Sequence, residues 1–92
     1  MIIRYYIDTE SGLPHIYRHD ISENEVTEVL SRPGEDRLGR EGSRVAIGQT
    51  HAGRYIRVIY VAEQVGIFVI TAYELTGKPL LAYRRRSRRR RN

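Results

Sequence analysis

Three kinds of side chain in this sequence suit work on a phosphate group. They are a histidine, whose ring titrates near neutral pH, arginines, which are planar and always charged, and tyrosines, which can donate protons or stack. His19, just ahead of a helix start, is the best titrating candidate. Arg44, Arg54 and Arg57 are candidate phosphate clamps, and Tyr73 and Tyr83 candidate proton donors or stacking surfaces. Each also has an ordinary structural reading. His19 suits a surface or capping group, and both tyrosines suit half-buried packing. Arg54 suits a cross-strand partner for Glu74 in a hairpin register that sets Ile59 opposite Val69. His15 and His19 are four residues apart, but no third ligand accompanies them and Pro14 argues for a loop, so no metal site is expected. Glycine-rich phosphate loops, a serine nucleophile elbow and paired catalytic carboxylates are not recognisable.

The element that must position these groups is Arg54 to Leu75, RYIRVIYVAEQVGIFVITAYEL, a β-hairpin by pattern. Its first half sets Ile56, Val58, Tyr60 and Ala62 on one face and Tyr55, Arg57, Ile59 and Val61 on the other. Its second half sets Phe68, Ile70 and Ala72 against Ile67, Val69, Thr71 and Tyr73. Both faces are largely apolar, which predicts a central strand covered on two sides. The polar residues Arg54, Arg57, Thr71, Tyr73 and Glu74 gather at the end away from the turn.

Around the hairpin, Met1 to Ile7 reads as a strand and Asp8 to Pro14 as a reversal. Ser22 and Glu25 form a capping box with Ile21 and Val26 as its staple, which starts a helix that Pro33-Gly34 ends. Glu35 to Glu41 reads as a short edge strand or a loop. Ser43 to Thr50 reads as a strand joined to the hairpin through His51-Ala52-Gly53. Thr76 and Pro79 suit the start of a C-terminal helix that contacts the body through Leu80, Leu81 and Tyr83 and runs into the arginines. The expected fold is α+β: an antiparallel β-sheet meander packed with an N-proximal and a C-terminal helix.

Ninety-two residues make one small domain, with no cysteine and hence no disulfide or thiol chemistry. No apolar run approaches the ~20 residues of a membrane span, and the N-terminus lacks a signal-peptide core, so a soluble, unprocessed, cytoplasmic protein is expected. The net charge of +5 is uneven, because seven of sixteen basic residues lie in residues 84–92; residues 1–83 hold nine basic and eleven acidic residues. The expected division is a domain over 1–83 and an arginine-rich tail over 84–92. So dense a run repels itself, and it is expected to be disordered or only partly helical without a polyanion. The plain alternatives are a solvated tail that aids solubility or one that binds an acidic protein partner.

Three separated stretches resemble the BrnT toxins in order and spacing. RHDISENEVTEVL is similar to their Lys-His-Gly-Val-Ser stretch, which opens their first helix. SRVAIGQTHAGRYIRVIYV is similar to their strand, Gly-Arg hairpin and following strand, and GIFVITAYE to their next strand. A BrnT-related uncharacterised family is closer in GLPHIYRH, GREGSR and TAYE, so the resemblance spans roughly residues 15–83. It implies a RelE-like toxin fold, metal-independent cleavage of RNA that inhibits translation, no cofactor, and a cognate antitoxin. Arg18 stands for the motif's lysine and Asp20 for its glycine, and Tyr73 lies where those sequences usually carry an arginine.

Cleavage of that kind needs a base for the ribose 2′-OH, cations for the phosphorane and an acid for the leaving 5′-oxygen. Those roles suggest His19, Arg44, Arg54 and Tyr73 as catalytic residues by residue type, and side-chain chemistry and charge suggest Arg57, Tyr83, Arg84, Arg85, Arg86 and Arg88 for holding RNA or the ribosome. If the tail neutralises about five RNA phosphates, the log-log salt slope of binding is about −3.5. Its removal is expected to weaken binding and leave the thermal transition of the body nearly unchanged. The alternative is a non-catalytic RNA- or ribosome-binding module on the same fold. A DNA-binding regulator is a weaker reading, since no helix-turn-helix pattern is present.

Overall fold

The computed structural model describes residues 1–90, with side chains through Arg89; Arg91 and Asn92 of the arginine run lie outside the described residues. The strands are β1 (Ile3–Tyr5), β2 (Glu35–Leu38), β3 (Arg44–Gln49), β4 (Tyr55–Glu63) and β5 (Gly66–Glu74), and the helices are α1 (Glu23–Ser31) and α2 (Gly77–Arg90). Short 3-10 turns cover His15–His19 and Arg40–Gly42. The sheet order is β1-β5-β4-β3-β2. Strands β3 to β5 form the expected antiparallel meander, β2 extends it as an edge strand where a strand or a loop was expected, and β1 adds to β5 in parallel, which makes the sheet mixed. The fold is α+β, with one helix near the N-terminus and one at the C-terminus. No helix among the described residues is long and apolar enough to cross a membrane.

Helix α1 starts where its capping box dictates. The Ser22 hydroxyl accepts the Glu25 N–H at 3.2 Å while Glu25 Oε1 accepts the Ser22 N–H at 3.0 Å. This satisfies two backbone donors that a helix start otherwise leaves open. Val26 and Val29 are wholly buried and pack with Ile16 and Ile21 on Ala46, Ile56, Val58, Tyr60, Val69 and Ala72 of the sheet. Each fully buried Val or Ile contributes about 1.5–3 kcal/mol, so this layer holds the sheet flat against α1. The opposite face carries a smaller cluster, in which Ile47, Leu75 and Tyr83 pack with Val45, Tyr55 and Leu80 under α2. Leu81, expected in that contact, is 57% exposed. The second face of β4 is therefore only half covered, with Ile59 and Val61 partly exposed.

The hairpin register departs from expectation. Ile59 pairs with Thr71 but Tyr60 pairs with Val69, so Ile70 is a bulge. The extra residue reverses the alternation of β5. Toward the turn, Ile67 and Val69 join Ala72 on the α1 side, while Phe68 moves to the other face, opposite Val61. Away from the turn, Arg57 pairs with Tyr73, and Glu74 stands opposite Ile56 rather than Arg54. Strand β1 is held by backbone hydrogen bonds, including Ile67 N–H to the Ile2 carbonyl at 2.8 Å. It is shorter than expected, because Ile7 bridges to Pro14 as the chain turns back on itself.

The boundary expected at 83/84 falls inside α2, which continues through the arginines. Arg86 explains the docking, since its Nε and Nη2 reach the two carboxylate oxygens of Glu35 at 2.7 and 3.0 Å. Glu35 is only 3% exposed, so β2 and α2 meet through a buried, two-pronged ion pair.

Candidate functional site

Beyond the end of β1 the edge of β5 is covered by the 3-10 turn, and this brings residues far apart in sequence together. The rings of Tyr6 and His15 meet edge to face at 5.9 Å, those of His15 and His19 at 5.4 Å, and His19 lies 6.1 Å from Tyr73. Arg57 follows on the neighbouring strand, with its guanidinium 5.8 Å from the Tyr73 ring and its Nη1 donating to the Tyr73 hydroxyl at 3.1 Å. The row runs across the sheet as Ile47, Arg57, Tyr73 and His19. Two buried polar atoms, Arg57 Nε in the row and Thr71 Oγ1 two residues from Tyr73 along β5, have no hydrogen-bond partner among the described residues. Uncommitted polar atoms of this kind usually cost about 1–3 kcal/mol each, so the fold holds polar capacity here that packing alone does not require.

Arg54 and Arg44 stand elsewhere and are engaged. Arg54 Nη1 reaches both Glu25 oxygens at 3.0 and 2.8 Å and the Asp20 carbonyl at 3.1 Å, while Nη2 reaches Glu74 at 3.2 Å. Burial alone would lower its pKa, but the hydrogen bonds to Glu74 and Glu25 raise it. Arg54 thus ties the end of the 3-10 turn, the start of α1 and the hairpin into one junction. The pairing with Glu74 is present although the register is not the expected one. Arg44 is opposite Tyr60, on the α1 face, and bonds to Asp36 Oδ1 at 3.0 Å; the Tyr60 hydroxyl donates to Asp36 Oδ2 at 2.6 Å. His19 and Tyr73 are therefore brought together, Arg57 joins them, and Arg44 and Arg54 do not.

No family model, curated protein or solved structure matches this chain.

The residues of α2 divide by contact. Tyr83 is 5% exposed, packed edge to face on Tyr55 at 5.9 Å, and presents no free ring for stacking. Arg84 lies 5.9 Å from the Tyr55 ring. The Glu35 carboxylate raises the pKa of Arg86 through their hydrogen bonds. Arg85 and Arg88 are exposed. A cleft of about 600 Å³ opens between α2, the end of α1 and the β3–β4 loop, and Arg32, Gln49, His51, Tyr55, Arg84 and Arg88 are among its walls. Arg32, Gln49 and His51 were not singled out from sequence. Arg32 ends α1 immediately before Pro33-Gly34, and that place at a helix terminus was the available signal. Among the described residues no three His, Asp or Glu side chains gather to hold a metal ion.

Proposed function

We propose that this chain is an RNA-cleaving, translation-inhibiting protein of the RelE/BrnT-like toxin kind, and that it cleaves at the His19–Tyr73–Arg57 row. The observation that carries the reading is the meeting of an imidazole, a phenol and a guanidinium that no carboxylate among the described residues claims, on a sheet flanked by a cationic helix. In this reading His19 takes the proton of a ribose 2′-OH as the 2′-oxygen attacks phosphorus. Arg57 stabilises the phosphorane, and the bond from phosphorus to the 5′-oxygen breaks as Tyr73 supplies that oxygen with a proton. The products are a 2′,3′-cyclic phosphate and a 5′-hydroxyl. The Tyr73 oxygen accepts from Arg57, so its own O–H remains free to donate. Asp20 adds support: at φ +59 and ψ +39 it occupies the left-handed region, a conformation suited to the glycine of the resembled motif. A cognate antitoxin and a cytoplasmic site of action belong to the same proposal.

One observation favours the second reading, a non-catalytic RNA- or ribosome-binding module. Arg44 and Arg54 are both committed to carboxylates, which leaves Arg57 as the cation within the row. Incubation with total RNA and with translating ribosomes separates the two. Cleavage ending in cyclic phosphates, lost in His19→Ala and reduced at least tenfold in Tyr73→Phe, is the expected result. Intact RNA with salt-sensitive binding retained in all forms would reject the enzyme and leave the module.

A further inference from the structure

Six arginines face carboxylates: Arg4, Arg18, Arg37, Arg44, Arg54 and Arg86 each stand within ion-pair distance of Asp or Glu. The cleft beside α2 gathers arginines of the other kind. Arg32, Arg84 and Arg88 converge on it, and among the described residues none of the three forms an ion pair. Glu28 also lines it, but one of its oxygens accepts the His51 backbone N–H at 2.8 Å. The lining thus carries three guanidinium groups against one engaged carboxylate. A concave surface with an excess of one sign focuses its field on the enclosed space, and guanidinium groups match phosphate oxygens in geometry.

The position of the cleft says which phosphates. Its wall includes Tyr55, and Arg57 lies two residues further along β4 with its side chain on the same face, a separation of roughly 7 Å. A strand held on the His19–Tyr73–Arg57 row therefore needs to extend only about that far to touch the cleft wall at Tyr55. We infer that the cleft is a phosphodiester-binding subsite that holds single-stranded RNA flanking the nucleotide on the row, through Arg32 and Arg88 with Arg84 steadied over Tyr55. The inference rests on the RNA reading above and adds where the strand is anchored. Arg32 and Arg88 are positioning residues and touch no reacting atom.

The test is fluorescence anisotropy of a labelled single-stranded RNA across a salt series, with Arg32→Gln/Arg88→Gln compared against Arg40→Gln/Lys78→Gln, a control of equal charge at exposed positions outside the cleft. Losing two phosphate contacts should flatten the log-log salt slope by about 1.4. Over a roughly fourfold rise in salt the unmodified protein should then lose about sevenfold more affinity than the cleft variant. The control should flatten by less than half as much. A slope unchanged in the cleft variant, or matched by the control, overturns the subsite. Cleavage read on the same samples separates the two claims: a flattened slope with no cleavage by any form keeps the subsite and removes the enzyme. If RNA is cleaved, the subsite requires a raised KM with kcat within about twofold in the cleft variant, and an unchanged KM rejects it alone.

Discussion

Replacing Arg86 by Met tests whether the arginine run is part of the fold. Its guanidinium makes two hydrogen bonds, at 2.7 and 3.0 Å, to a Glu35 carboxylate whose side chain is 2% exposed. Removing one partner of a buried pair commonly costs about 3–5 kcal/mol, because the remaining charge stays in a poorly solvated place. Two features reduce that here. Arg86 is 34% exposed, and Arg37 Nε lies 3.7 Å from Glu35 as a weaker neighbour. The expected loss is about 2 kcal/mol, which for a domain of this size lowers Tm by about 8–16 °C. The double variant Glu35→Leu/Arg86→Met removes both charges and should recover most of that loss, since apolar replacement of a buried pair is often neutral or better. Thermal unfolding at neutral pH, followed by circular dichroism, measures both. A fall of less than about 3 °C in the single variant, or no recovery in the double, would refute the docking argument. Deleting residues 84–92 must then destabilise the body at least as much as Arg86→Met, contrary to the expectation of a detachable tail.

Two further outcomes follow from local geometry. Gly66 has φ +103, and a Cβ there would lie 2.1 Å from the Ile2 carbonyl oxygen, so Gly66→Ala should cost about 3 kcal/mol or more in urea unfolding; a loss under about 1 kcal/mol would contradict the tight β1–β5 approach. Asp8 is drawn from 3.8 to about 2, chiefly by its hydrogen bond from Arg18 and then by the Glu10 backbone N–H. A lowered carboxyl pKa stabilises the fold above the unfolded value and loses that contribution as pH falls through the folded one. Tm should therefore decline between about pH 4 and pH 2, and Arg18→Gln should flatten that decline; parallel curves would exclude the pair as its cause.

What could be read from sequence was local. Ser22, Glu25, Ile21 and Val26 sit within six residues, and their capping and burial follow from side-chain reach. The bulge at Ile70 was hidden for a physical reason. Ile67, Phe68, Val69 and Ile70 are apolar at every position, so a one-residue slip places no charge in the core and leaves no mark on the pattern. The buried pair was hidden by distance, since Glu35 and Arg86 are 51 residues apart and a run of arginines otherwise reads as solvated charge. The His19–Tyr73 contact joins two residues that were each identifiable by type, but it arises only because the short β1 leaves the edge of β5 open to the 3-10 turn.

The hairpin arginines show why residue type alone does not assign a site. Arg54 and Arg57 are three positions apart and chemically identical, yet their availability differs. Arg54 precedes β4 and turns toward α1, where Glu25 binds it while also capping the Ser22 N–H. A phosphate that drew Arg54 away would have to compete with two carboxylates and would leave Glu25 without its countercharge at the helix start. Arg57 lies within β4, on the opposite face, where its head contacts Tyr73 and no carboxylate among the described residues claims it. An arginine already held by carboxylates is poorly placed to bind an incoming anion, whereas one held by a phenol retains most of its charge for a ligand. On that ground the proposed role of phosphate clamp passes from the arginine that follows the hairpin glycine to the one whose side chain shares a face with Tyr73.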